Sequence, residues 1–194
     1  MPRPKSFDVD DVLDRAVDLF WVNGYAATSM EDLVNHLGIN RGSLYSTFGS
    51  KQELYERAIE RYASVGRDWM AAMLSDSAIP LRDTINTILT SSAETTDHRG
   101  CLLVNTAMER NATDERSLDL TSKALDERRA ILATAFESRR NELANGVTPD
   151  RAADLVLVAA QGLRVVATTE SKIGADSTIQ TVLDTLTPTP PLRR

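Results

Sequence analysis

The sequence predicts an all-α protein, with a three-helix domain at the N-terminus followed by a larger helical domain. Apolar residues recur at helical spacing along most of the 194 residues, and no segment alternates polar and apolar residues as a strand would. Five of the seven prolines lie in the two tails, while Pro80 and Pro149 stand where helices can begin. The interior is therefore expected to consist of helices joined by short turns.

Composition and charge narrow the range of possible partners. The net charge of −6 and the isoelectric point near 5.0 argue against a general nucleic-acid coat or a basic membrane binder. No apolar run is as long as a membrane span and the N-terminus lacks a signal-peptide core, so we expect a cytoplasmic protein that binds no membrane. One cysteine excludes an intramolecular disulfide and a Cys-based zinc site. We expect no cofactor, no metal and no catalytic residues, because the sequence has no Gly-rich phosphate loop, metal cluster or nucleophile–base pair.

Two amphipathic helices are predicted within the first 38 residues. The first runs from about Asp8 to Asn23, and its acidic cluster is expected to face solvent. Ser29 and Asp32 form a signature close to a capping box, and Gly38 ends the second helix where a positive φ is wanted. The apolar stripe of this second helix consists of Met30, Leu33, Val34 and Leu37.

Another short helix follows the turn at once. Asn40 is a good N-cap, and Leu44 and Phe48 face inward at i and i+4. A capping box at Ser50 then opens a helix from Lys51 to about Leu74. The outward positions of the short helix are Arg41, Gly42, Ser43, Tyr45, Ser46 and Thr47. A helix pair with a Gly-containing turn, whose second member is polar outside, is what a reader of the DNA major groove needs.

The distribution of charge favours this interpretation despite the acidic total. The window from residue 38 to 52 contains Arg41 and Lys51 but no acid, and the first seven residues contain Arg3 and Lys5 but no acid. Because each carboxylate facing phosphate opposes binding, two acid-free basic windows suit a confined DNA-facing surface. The N-terminal window is either a disordered tail or an arm that reaches into the minor groove.

These helices carry a family resemblance. The chain resembles the DNA-binding domain of the TetR/AcrR family of bacterial transcriptional regulators in the string TSMEDLVNHLGINRGSLYSTFGSKQELY, and at Ala16, Leu19, Phe20, Gly24 and Tyr25 upstream. The pattern covers roughly a third of the chain, from about residue 7 to residue 62. It implies a helix-turn-helix domain over residues 1–55 and an effector-binding and dimerisation domain over residues 56–194, with a helix over about 51–74 shared between them.

The resemblance implies a homodimer that binds a palindromic operator in double-stranded DNA. Tyr45 is then expected to contact a phosphate or a thymine methyl group, and Lys51 and Thr28 to contact phosphates. Arg41 can pair bidentately with guanine, a contact worth about 1–3 kcal/mol of discrimination, and Gly42 permits close backbone approach. Further hydrogen bonds can come from Ser43, Ser46 and Thr47. The alternative is a buried Tyr45 and a merely solvated Arg41.

An effector pocket in the C-terminal domain, for an unidentified small molecule, is also implied by the resemblance. The side chains expected to face it are Trp69, Met73, Cys101, Leu103, Asn105, Met108, Leu163, Val166, Gln161 and Arg164. Core packing explains the same apolar spacing. Arg128, Arg129, Arg139 and Arg140 are expected to form a solvated face paired with glutamates rather than a second DNA surface.

Cys101 lies in a GCLLVNTAMER run over residues 100–110 that is similar to one branch of the family. Some regulators of that branch use the corresponding cysteine to sense electrophiles or oxidants. A position at the start of a helix lowers the pKa of a thiol, which would suit such a sensor. The alternative is a small buried apolar residue.

The last two helices are predicted over residues 149–171 and 175–186, and they carry more apolar surface than one small domain can cover. The resemblance implies that they form a four-helix dimer interface. The residues expected there are Ala152, Ala159, Ala160, Ile179, Val182, Leu183 and Leu186. The alternative is that both helices close the core of the monomer.

The sequence therefore predicts a sequence-specific DNA-binding transcriptional regulator and not an enzyme. Its most direct form is a repressor released from its operator by a small-molecule, redox or electrophile signal. The competing hypothesis is a small helical enzyme or protein-interaction module that keeps the helix-turn-helix domain as a scaffold. The acid-free face around Arg41 favours the regulator.

Overall fold

The computed structural model describes residues 7–94, 99–110, 114–169 and 174–188. Within these ranges the chain forms nine α-helices and one short 3-10 helix, which confirms the all-α prediction. The helices are α1 (Val9–Asn23), α2 (Met30–Leu37), α3 (Arg41–Phe48), α4 (Lys51–Ser75), α5 (Leu81–Ala93), α6 (Leu102–Arg110), α7 (Glu115–Ser138), α8 (Pro149–Ala167) and α9 (Ala175–Leu186), with the 3-10 helix at Arg140–Glu142. No helix in the described ranges is long and apolar enough to cross a membrane.

Contacts divide the chain into two compact units. The head unit comprises Met1–Val65 and Leu102–Ala124, and the body unit comprises Gly66–Cys101 and Leu125–Arg194. Both α4 and α7 contribute to each unit. The boundary expected near residue 55 differs from this division, because α6 and the first part of α7 pack within the head unit.

The head unit is closed around aromatic side chains from α1, α4 and the loop after α1. Phe20 of α1 packs edge to face against Tyr55 of α4, with ring centroids 4.9 Å apart. The Tyr55 hydroxyl lies 2.9 Å from the hydroxyl of Thr106 on α6, and both residues are buried. Burial raises the pKa of Tyr55, so its hydroxyl stays protonated. This contact attaches α6 to the core beneath the first four helices.

The body unit is built from α5 packed against both α8 and α9. Arg82 on α5 forms an ion pair with Asp184 of α9 at 2.6 Å, and it also donates to the Thr187 hydroxyl at 3.0 Å. The backbone N–H of Ala144 donates to the carbonyl of Leu186 at 2.8 Å, which fixes the end of α9. The core includes Leu81, Ile85, Ile88, Leu89, Leu132, Phe136, Val156, Leu163, Ile179, Val182, Leu183 and Leu186.

The arginine run differs from its prediction at two positions. Arg128 is only 5% exposed, and Arg139 is buried with its Nε donating to Glu142 at 2.7 Å. Arg128 lies within α7, whereas Arg139 follows the end of that helix, where its Nη2 donates to the carbonyl of Ile79 at 2.6 Å. Arg129 and Arg140 lie nearer the surface; Arg140 pairs with Glu137, as expected, whereas Arg129 pairs with Asp150 and Asp154. The interpretation of the whole run as solvated is therefore wrong for Arg128 and Arg139.

Candidate nucleic-acid interface

The turn between α2 and α3 is fixed by caps on both sides. The Ser29 hydroxyl accepts a hydrogen bond from the Asp32 N–H at 3.1 Å, and the Asp32 carboxylate accepts one from the Ser29 N–H at 2.8 Å. The hydrogen bond from the Ser29 side chain lowers the pKa of Asp32, which keeps this capping box ionised. Gly38 then adopts φ 66°, a left-handed conformation that a side chain disfavours.

The α3 helix presents one buried and one open face. Asn40 accepts a hydrogen bond from the Ser43 N–H at 2.8 Å and so caps the helix. Leu44 and Phe48 are buried against the head core, while the Tyr45 side chain on the opposite side is 45% exposed. Exposed beside Tyr45 are Arg41, Gly42 and Ser46, with Ser43 and Thr47 half-buried at the edges. The exposed side of α3 is called the α3 face below.

Lys51 lies at the start of α4 above an aromatic ring. Its ammonium is 4.2 Å from the centroid of Tyr25, and the guanidinium of Arg110 is 4.1 Å from the same centroid. The carboxylate of Glu109 accepts hydrogen bonds from the N–H groups of Tyr25 at 2.9 Å and Ala26 at 2.7 Å. Burial lowers the pKa of Lys51 and Glu109 opposes that effect. Two α6 residues thus set the position of a predicted phosphate contact.

A polar junction beside Lys51 joins α4, α6 and α7. The Asp114 carboxylate accepts hydrogen bonds from Gln52 at 2.7 Å, from Arg110 at 3.2 Å and from the Ser117 hydroxyl. Burial raises the pKa of Asp114, but these hydrogen bonds outweigh it and lower the pKa to about 2. The sequence analysis assigned no site role to Tyr25, Glu109, Arg110 or Asp114, although Tyr25 is one of the positions that carry the family resemblance. Glu109 and Arg110 lie in the local run at residues 100–110, which was the sequence signal near them.

The hydroxyl groups of two predicted DNA contacts, Thr28 and Thr47, are buried. Thr28 is fully buried and its hydroxyl donates to the Gly24 carbonyl at 2.6 Å, which corrects the expectation of a phosphate contact from that hydroxyl. The Thr47 Oγ1 is also buried, and among the described residues it has no hydrogen-bond partner. The Ser46 hydroxyl donates to the Ser43 carbonyl at 3.1 Å. Arg3 and Lys5 lie outside the described residues.

The residues predicted for the effector pocket do not share one cavity. Trp69, Gln161 and Arg164 line a small cavity within the body unit, whereas Leu103, Asn105 and Met108 belong to α6 of the head unit. The side chain of Met108 is 75% exposed because the inward positions of α6 are Leu102, Leu103 and Thr106, on the opposite side. The expectation that Met108 faces inward is therefore wrong. Met73 is half-buried and lies outside the cavity lining.

Cys101 is buried immediately before α6. Its burial fits the packing alternative, and a sensing role for its thiol stays a prediction.

Six of the seven predicted dimer residues are buried within the single chain. Only Ala159 is partly exposed, and the buried six are Ala152, Ala160, Ile179, Val182, Leu183 and Leu186. They close the body core between α5, α8 and α9, so they leave little surface for a second copy. The outward side of α8 is nevertheless apolar, with the Val158 side chain 69% exposed.

Comparison with known proteins identifies the family. The model of the bacterial regulatory proteins of the tetR family matches residues 12–58. The uncharacterized HTH-type transcriptional regulator YezE of Bacillus subtilis (strain 168) is 33% identical over 136 residues, which cover 66% of this chain and 69% of YezE. The chain belongs to the TetR family. The prediction of a DNA-binding transcriptional regulator rather than an enzyme is confirmed by this membership.

This TetR-family chain is also similar to a curated repressor and to a solved regulator structure. The HTH-type transcriptional repressor ComR of Escherichia coli (strain K12) is 47% identical over 60 residues, covering 31% of this chain and 29% of ComR. A cysteine mutant of the TetR family transcriptional regulator CifR, complexed with 26-bp double-strand operator DNA, matches in structure with a TM-score of 0.79 and 26% identity. That match covers 95% of this chain and all of the CifR chain. The likeness therefore extends over the whole fold.

Proposed function

We propose that this TetR-family chain is a homodimeric repressor that binds a palindromic operator with α3 and leaves it when an effector binds. The observation that carries the proposal is the α3 face, which is open to solvent and has no carboxylate. A face of this kind fits a major groove, because a helix inserted there meets phosphates on both sides. The repressor role is supported by ComR, and binding to double-strand operator DNA by CifR.

Each basic or aromatic group has a distinct part in the proposed complex. Arg41, exposed in the first turn of α3, pairs with a guanine edge and supplies sequence discrimination. Tyr45 lies one turn further along the α3 face and contacts the backbone or a thymine methyl group. Lys51, held above Tyr25, contacts a phosphate, since its ammonium is directed by the ring rather than mobile in solvent.

The proposed dimer forms through the outward side of α8. Leu155, Val158, Ala159, Gly162 and Val165 recur at helical spacing there, and Val158 and Val165 are exposed. Small residues among them permit close approach of a second helix, and exposed apolar surface of this kind marks association sites. A Val158→Glu variant should therefore become monomeric in analytical ultracentrifugation, whereas an unchanged dimer would contradict this interface.

Effector binding acts, in this proposal, by favouring a dimer whose two α3 helices no longer match successive grooves. Such allostery requires only that the effector and the operator prefer different states of the dimer.

The effector is a small molecule or an electrophile. If it is an electrophile, the Cys101→Ser variant should stay on its operator under oxidants that release the parent protein. Release of both proteins would exclude the thiol as the sensor. The proposed place of action is the bacterial cytoplasm, where the chromosome lies.

A gel shift with the DNA upstream of the chain's own gene tests the DNA contacts. Tyr45→Ala and Lys51→Ala should abolish retardation while circular dichroism shows unchanged helix content. Arg140→Ala is the control, because it also removes one exposed side chain but lies in the body unit. At low salt, where residual binding is measurable, Lys51→Ala should reduce the slope of log affinity against log salt by about one. Unchanged affinity in both head variants would refute the assignment.

A further inference from the structure

The body unit contains a small cavity with an unusual distribution of charge. It encloses about 20 Å³ and is lined by Trp69, Met70, Ile88, Ser92, Arg128, Leu132, Val156, Leu157, Ala160, Gln161 and Arg164. Among the described residues that line it, two are arginines and none is an acid. The remaining lining is mostly apolar, so electrostatic interactions inside it are stronger than at the surface.

Arg128 is placed at this cavity by the shape of a neighbouring helix. Its side chain is nine-tenths or more buried, and its guanidinium lies against Gly66 of α4. A Cβ at Gly66 would stand 3.1 Å from Cζ of Arg128 and closer still to Nη2. Glycine in the middle of a helix costs roughly 0.5–1 kcal/mol relative to alanine, so this glycine has a packing reason. The reason visible here is to make room for a buried cation.

A third polar group faces the same space. Among the described residues, Oε1 of Gln161 is buried and accepts no hydrogen bond. A buried acceptor without a partner is unfavourable, and a ligand donor can satisfy it.

We infer that this cavity binds a small amphipathic carboxylate, which is the effector of the proposed repressor. The carboxylate pairs with the guanidinium groups of Arg128 and Arg164. A hydroxyl on the ligand donates to Gln161, and an apolar body no larger than one aromatic ring packs among the aliphatic side chains. The inference rests on the proposed function for its regulatory meaning, but the preference for an anion follows from the lining alone.

The cavity must open to admit such a ligand. Its volume of about 20 Å³ accommodates little more than one water molecule. Trp69 is the bulky lining residue with substantial exposure, so its side chain is the one able to move outward. Opening at Trp69 allows a ring-sized body to enter while the buried Arg128 and the half-buried Arg164 stay in place.

Calorimetric titration of the full-length protein with three matched probes tests this inference. The probes are para-hydroxyphenylacetate, its neutral amide and tyramine, which share a ring and a hydroxyl but carry a negative, zero and positive charge. Because hydrogen bonds to charged groups are stronger than neutral ones, the acid should bind at least about tenfold more tightly than the amide. Equal binding of acid and amide, a preference for tyramine, or no binding of the acid would each overturn the inference.

Three variants locate the binding. Arg164→Gln should abolish the preference for the acid, and so should Gly66→Ala, whose new Cβ displaces the flexible end of Arg128 without a loss of helix propensity. Arg140→Gln, with the same change of charge at the surface, should keep the preference. If the preference survives in both cavity variants, the site is wrong. Operator binding is measured separately, without any probe. Loss of operator binding would count against the proposed repressor, whereas absence of a preference for the acid in the parent protein would count against the anion site.

Discussion

The Asp114 junction should contribute strongly to the stability of the head unit. The Asp114 side chain is 8% exposed, and its pKa is lowered from the ordinary 3.8 to about 2. Since one pKa unit corresponds to about 1.4 kcal/mol, ionised Asp114 stabilises the folded state by about 2 kcal/mol. Asp114→Asn keeps the shape of the side chain but removes its charge. At neutral pH the variant should therefore lose about 2 kcal/mol of unfolding free energy.

The stabilisation by Asp114 should depend on pH. A lowered folded-state pKa stabilises the protein above the unfolded value of 3.8, and that stabilisation is lost as the pH falls towards about 2. The difference between Asp114→Asn and the parent should accordingly shrink over this range. Urea unfolding followed by circular dichroism, at one protein concentration, measures it. Asp119→Asn, an exposed change on the same helix, is the control. A difference equal to that of the control, or independent of pH, would refute the reasoning.

Two further substitutions test how the α3 face is held. Leu44→Ala, at a fully buried position, should lower the free energy of unfolding by about 2–5 kcal/mol, measured by urea unfolding. Val22→Ala, at an exposed position, is the control. A loss in Leu44→Ala no larger than the loss in the control would contradict the packing of Leu44. Gly38→Ala places a side chain at φ 66° and should lower the free energy of unfolding by about 1–2 kcal/mol in the same assay. An unchanged unfolding midpoint would mean that the turn adopts another conformation.

The helix bounds could be predicted because the capping residues and glycines that set them lie next to the helix ends in the sequence. The α2 and α3 helices begin at Met30 and Arg41 and end before Gly38 and Gly49, where caps and glycines set the bounds. The α9 helix, Ala175–Leu186, coincides with its predicted span. Tyr45 lies on the open side of α3, since the inward positions are occupied by Leu44 and Phe48.

Long-range contacts could not be predicted in the same way. The hydrogen bonds from Tyr25 and Ala26 to Glu109 join residues more than eighty positions apart. Nothing in a single sequence indicates that α6 packs in the head unit, or that Asp114 meets Gln52 from α4. Burial of Thr28 was missed for a related reason, because its polarity suggested a surface contact while its hydroxyl is satisfied by the preceding turn.

The last two helices show that apolar spacing alone does not predict which side of a helix is buried. Helical spacing showed that α8 has more apolar surface than one face needs, but it did not show which side packs internally. The structure places Ala152 and Ala160 in the body core and leaves Val158 exposed. Periodicity alone treats these sides as equivalent, so the proposed dimer face became recognisable only from burial.

The central claim is that two α3 helices in one dimer bind successive major grooves of a palindromic operator. Once footprinting has located the operator, fluorescence anisotropy should compare it with a copy that carries about five extra base pairs, half a helical turn, between the half-sites. The insertion moves one half-site to the opposite side of the duplex, so the account predicts that binding falls to the level of non-specific DNA. Equal affinity for the two duplexes would contradict it.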